Sequence, residues 1–151
     1  MPDPLERIGK QLDDTSDPTL LILRAHLLVE ELLRDILDRT CQAPNELPPA
    51  RLSFYQVYCL CRAIVGKSDD RVWDFIARLN EVRNRMAHHL EPGDLDELVG
   101  SVATTLRVKY PGAKTPVDRV RAATYYACGY LMATRGSVRL GPAYTAEEPE
   151  K

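Results

Sequence analysis

At 151 residues the chain is long enough for one domain with its own apolar core, and hydrophobic residues at 44% with charged residues at 28% are ordinary for a globular protein. A formal net charge of -2 excludes a generally polycationic nucleic-acid binder and leaves any such contact to a local basic patch. The four cysteines show no Cys-x-x-Cys spacing, and the start Pro2, Asp3, Pro4, Glu6 lacks the basic and apolar runs of a secretory leader, so reduced thiols and a cytoplasmic location are expected.

Residues 3–13 predict a short helix with Leu5, Ile8 and Leu12 on one side, weakened by Gly9 and placed as a lid over the rest. Asp17-Pro18 is a helix start, a capping residue followed by proline at the first helical position, and the helix extends to about Thr40. Ala25, Leu28, Val29, Leu32 and Ile36 form its core face, with Leu20, Leu23 and Leu27 on the opposite side, as in a central or interface helix. The apolar run Leu20 to Leu23 is soon interrupted by Arg24, His26, Glu30 and Glu31, too early to span a membrane. His26 and Glu30 are four apart and are expected to pair at the surface.

Cys41 to Pro49 reads as a loop because of Pro44, Asn45, Pro48 and Pro49. Ser53-x-x-Gln56 is a capping box, and its helix runs to about Val65 with Gly66 as the stop. Tyr55, Tyr58, Leu60, Ile64 and Val65 supply its apolar surface. Cys59 and Cys61 lie about 200° apart on it, hence on different faces, as buried or half-buried thiols.

Asp69 or Asp70 caps the next helix, whose positions Val72, Phe75, Ile76, Leu79, Val82, Met86 and Leu90 recur at steps of three and four. Trp73 is read as packing. Glu91-Pro92-Gly93 ends this helix, and Asp94 caps another running to about Tyr110 with Leu95, Leu98, Val99, Val102 and Leu106 as its stripe. Pro111-Gly112 breaks it, and Thr115-Pro116 with Asp118 starts a last helix to about Thr134. Its Arg119, Arg121, Tyr125, Tyr126 and Tyr130 are a mix that single strands can stack on, although interface packing is the commoner role. From Arg135 onward Gly136, Gly141, Pro142 and the acidic run Glu147 to Glu150 describe a flexible tail. No strand is expected, since Ser137 to Leu140 lacks a partner strand. The chain is thus all-α, a helical domain over 1–134 and a tail over 135–151.

The stretch Leu79 to His89 carries the one anomaly. Arg83 falls inside the apolar stripe one turn after Leu79, and a guanidinium stays charged and is costly to bury unpaired. It therefore needs an acidic partner, such as Glu30 or Glu31, or it faces a groove or a second subunit. Asn80, Asn84 and His88 are spaced by four and share a polar row. Arg83 and His88 are five apart, about 140° around an ideal helix, so only a bend near Ala87 or two helices meeting across a two-fold axis would join them. The two histidines also suit a helix C-terminus. Adjacent His88 and His89 diverge by about 100°, which disfavours a metal site even with Asp94 and Asp96 nearby.

Arg83-Asn84, then three residues, then His88 resembles the signature of HEPN domains, an Arg and a polar residue followed by His four to six positions after the Arg. Leu79-Asn80 and Met86-Ala87-His88 are similar to the flanking words of that family, and the resemblance covers Asp17 to Tyr110. His88 and His89 both satisfy the spacing, with His88 favoured because Asn84 supports it from one turn earlier. The resemblance implies an up-and-down helical bundle, here with an extra short N-terminal helix and an additional C-terminal helix. It further implies a homodimer acting on RNA as a metal-independent endoribonuclease, without cofactor, whose two sets of Arg83, Asn84 and His88 face one cleft. His89, Asn80 and Glu30 would support them. Toxin or phage-defence roles in the family imply an antitoxin or sensor protein as a further partner, and no membrane. The alternative is a non-catalytic dimeric module that binds a nucleotide or a protein. Arg83 discriminates: pairing with Glu30 or Glu31 makes the site structural, and opening onto a groove favours the nuclease.

Overall fold

The computed structural model describes residues 3–66, 69–88 and 94–137. Among them the chain forms seven α-helices and no strand: α1 (Pro4–Asp13), α2 (Pro18–Thr40), α3 (Leu47–Ala50), α4 (Phe54–Val65), α5 (Asp70–His88), α6 (Leu95–Thr105) and α7 (Pro116–Ser137). No helix among the described residues is long and apolar enough to cross a membrane.

The helix starts follow local chemistry. Asp3, Asp17 and Asp69 accept from the backbone N–H two residues on, at 3.1, 3.0 and 3.2 Å. Ser53 and Gln56 form the expected reciprocal box ahead of α4, with bonds of 2.8 and 3.3 Å. Thr115 and Asp118 do the same ahead of α7, each bond 3.1 Å. Gly66 ends α4 at φ 81, a left-handed value that suits glycine. Asp94 precedes α6 without a side-chain cap, contrary to expectation.

The long helices α2 and α7 run side by side in one direction. Arg121, near the start of α7, donates to the carbonyls of Leu12, at the end of α1, and Thr15, just before α2, and Arg135 pairs with Asp35 at 2.9 Å toward the other end. Arg135 and Gly136, expected in the tail, belong to α7, because this ion pair holds the last turn. Residues 138–151 of the expected tail lie outside the described residues. The lid is present: Ile8 and Leu12 are buried, Arg7 grips Glu31 on α2 at 2.8 Å, and the Tyr125 hydroxyl donates to Asp13 at 2.9 Å. Leu5, expected on the buried side, is exposed. Gly9 leaves room for Tyr125, whose hydroxyl would stand 3.3 Å from an added Cβ.

Two stretches depart from expectation. Within Cys41 to Pro49 the prolines open short helical turns, Pro44–Glu46 and then α3, since proline is tolerated in a first turn. The helix expected to reach Tyr110 stops at Thr105, where Leu106 turns extended (φ -123, ψ 99) and is itself buried.

The core gathers Leu21, Ile22, Ala25, Val29, Leu33 and Ile36 of α2, Val57 and Cys61 of α4, and Trp73, Phe75, Ile76 and Leu79 of α5. Val99 and Val102 of α6 and Val120, Ala127 and Leu131 of α7 complete it. Cys61 is buried with its thiol on the Leu33 carbonyl at 3.0 Å, whereas Cys59 is exposed, so the two do take different faces. Trp73 is fully buried, edge-on to Tyr58 and Tyr130 at 5.7 and 6.4 Å between ring centroids. Tyr126 donates to Asp69 at 3.2 Å, so these tyrosines serve packing and tethering within the chain.

Candidate functional site: the polar row of α5 and its buried support

The apolar stripe of α5 is buried through Val72, Phe75, Ile76, Leu79, Val82 and Met86. Arg83, at the edge of that stripe, is half-buried, and Asn84 and His88 are exposed. Arg83 donates from Nη1 to the Asn84 amide oxygen at 3.1 Å. Among the described residues it makes no ion pair. The two carboxylates expected to compete for it are engaged by other arginines. Glu30 is held by Arg34 one turn along α2, at 2.6 Å to Nη2 and 3.0 Å to Nε, and Glu31 by Arg7. Apart from this bond to Asn84, Arg83 makes no hydrogen bond or ion pair among the described residues, and Asn84, accepting through its oxygen, keeps its NH2 group as a donor.

The structure does not bring His88 to Arg83. Helix α5 is continuous α-helix through Ala87 to His88, and no hydrogen bond joins His88 to Arg83 or Asn84. With no break at Ala87, the divergence of about 140° set by their spacing persists within one chain. His89, like Leu90 and the Glu91-Pro92-Gly93 stop, lies outside the described residues.

Asn80, the first member of the row, bonds inward. Its amide oxygen stands 3.1 Å from Nε2 of His26. His26 was expected at the surface with Glu30, but it is only 4% exposed. Its ring lies 4.3 Å from that of Phe54, centroid to centroid, and its Nδ1 is 3.8 Å from the Glu30 carboxylate. Burial holds the imidazole below its ordinary pKa; Asn80 and Glu30 pull it back up, and the charge of Arg83 pushes it further down. His26 is therefore neutral near pH 7, and with the Asn80 oxygen as acceptor its Nε2–H is the donor. The sequence signal was there: His26 lies on the arc of Ile22, Val29 and Leu33, which are buried, so a surface placement conflicted with the helical period. Glu30, expected as direct support of the row, reaches it only through His26.

Arg83 and its partner Asn84 offer N–H donors side by side with no carboxylate between them, and His88 stands apart from them on the same helix. Such a set accepts anions, and a guanidinium matches phosphate oxygens in bidentate fashion. Comparisons with protein-family models, with curated proteins and with solved structures found no match.

Proposed function

We propose that the chain is a HEPN-type helical domain acting as a metal-independent endoribonuclease, with Arg83, Asn84 and His88 as its catalytic residues. The observation that carries this reading is the state of Arg83, a half-buried cation paired with no carboxylate among the described residues although Glu30 and Glu31 stand on the neighbouring α2.

Cleavage needs a base for the ribose 2'-OH, an acid for the leaving 5'-oxygen and a cation for the charged phosphorane. The 2'-oxygen attacks phosphorus, the bond to the 5'-oxygen breaks, and a 2',3'-cyclic phosphate remains. Imidazole is the side chain whose ordinary pKa lies nearest the working range for both proton transfers. Arg83 stabilises the charge that grows on phosphorus, and Asn84 holds it in place and donates beside it.

One chain does not gather Arg83 with His88, so the reading includes a homodimer in which two α5 helices complete each other. Leu20, Leu23 and Leu27 support this: they form an outward row at steps of three and four, 37, 38 and 63% exposed. A toxin or phage-defence role, with an antitoxin or sensor protein as partner and a cytoplasmic setting, follows from the same family reading.

The test is cleavage of a mixed RNA pool by the purified protein in excess EDTA, beside His88→Ala, with the 3' ends identified. Cleavage ending in cyclic phosphate and lost in the variant is the expected result. Cleavage that needs a divalent ion, or that survives in His88→Ala, overturns it. The separation of His88 from Arg83 within the chain favours, as second reading, a non-catalytic dimeric module that uses the same donors to bind a nucleotide or a protein; there RNA stays intact.

A further inference from the structure

The buried cluster beneath the polar row has no part in the chemistry above, yet its wiring is unusual for a packing device. With the Asn80 oxygen as acceptor, Nε2–H of His26 is the donor at 3.1 Å, which leaves the ring's lone pair on Nδ1, 3.8 Å from the Glu30 carboxylate. Two acceptors thus stand near each other at the edge of the core, where the Glu30 side chain is 25% exposed, an arrangement that a second proton on the ring would convert into a charge-assisted contact.

The groups packed around the ring decide whether that proton is held. From α2 the ring feels Glu30, itself partly neutralised by Arg34; from α4 it meets the apolar face of Phe54; from α5 it meets Asn80 and the positive field of Arg83. Glu30 and Arg83 are the charges that act on the ring, with opposite sign. Arg83 is also the residue left open for an external anion. An anion seated there cancels its field at His26, leaves Glu30 unopposed, and so favours the imidazolium.

We propose that His26 is a positioning residue of the site, which takes up a solvent proton on Nδ1, against Glu30, when an anion occupies Arg83 and Asn84. The loaded state then ties α2 to α5 through a Glu30–His26–Asn80 chain with both ring nitrogens engaged, and binding strengthens as pH falls. By reciprocity, whatever the anion does to His26 protonation, protonation does to anion affinity. The inference rests on the anion-binding half of the proposed function and not on cleavage.

Sulfate is the probe, because its charge is constant across the pH range used. The His26 imidazole is followed by NMR from pH 5 to 8 in the whole protein, with and without sulfate, at ionic strength matched by chloride. Its resonance is assigned by its loss in His26→Gln. We expect sulfate to raise the His26 midpoint by about 0.5 pH or more, equal to about three-fold tighter binding to the protonated form. In Arg83→Ala, a change at a half-buried surface position, the midpoint should start higher than in the wild type and no longer respond to sulfate. An unchanged midpoint in the wild type, whether sulfate binds or not, overturns the proposal, as does a sulfate response that persists in Arg83→Ala. A shifted midpoint in a protein that leaves RNA intact upholds this inference and sinks the nuclease; cleavage with an unmoved midpoint does the reverse.

Discussion

His26 shows how one residue ties sequence pattern to energetics. Its position on the buried arc of α2 fixes where the ring goes, and burial then keeps it neutral. In the unfolded chain the same imidazole titrates near its ordinary value of about 6.5. Between that value and the lower one of the folded state, the unfolded chain binds more protons, so stability is fully present above about pH 6.5 and is lost as pH falls below it. The melting temperature should therefore drop more steeply from pH 7.5 to 5.5 in the wild type than in His26→Gln, which keeps a donor for Asn80 but cannot titrate. Equal slopes in the two proteins would mean that His26 is not held neutral by the fold. The Arg83 signature was readable from the sequence, because a fixed charge inside an apolar stripe demands an explanation whatever the fold. Which partner it lacks was not readable, since that depends on Arg34 and Arg7 claiming Glu30 and Glu31 across and along helices.

At the scale of elements, the caps were the most legible features. Ser53 with Gln56 and Thr115 with Asp118 are local devices, determined within four residues, and both form as the spacing predicts. Thr115→Ala should remove one of the reciprocal bonds at the start of α7 and cost about 1 kcal/mol, read as a lowered denaturant midpoint with unchanged slope. The element ends that local sequence does not predict are those set by distant contacts. Helix α6 yields at Leu106 because that side chain is buried in the core, and α7 extends beyond Thr134 because Asp35, on a helix remote in sequence, meets Arg135. The outward row Leu20, Leu23 and Leu27 was visible as a face opposite the core. Placed there, Leu27→Glu should shift the protein toward monomer in sedimentation while leaving its helical content intact. A monomeric wild type, or a variant with undiminished association, would remove that row from the dimer account.

The whole molecule is a helical body in which α2 and α7 run alongside each other and α1 closes over them. Nothing in its composition marks it for RNA: the net charge is -2, and long-range attraction for a polyanion is weak. Recognition must then be local, and Arg83 with its unshared donors is the group on which the account turns. Arg83 holds no carboxylate among the described residues, so removing it orphans no charge and should cost little stability. The most direct measurement is the rate of EDTA-resistant RNA cleavage by Arg83→Ala against the wild type, with both confirmed as folded by their melting curves. We expect a loss of about 100-fold or more in a variant that melts as the wild type does. Cleavage at the wild-type rate in the folded variant would contradict it.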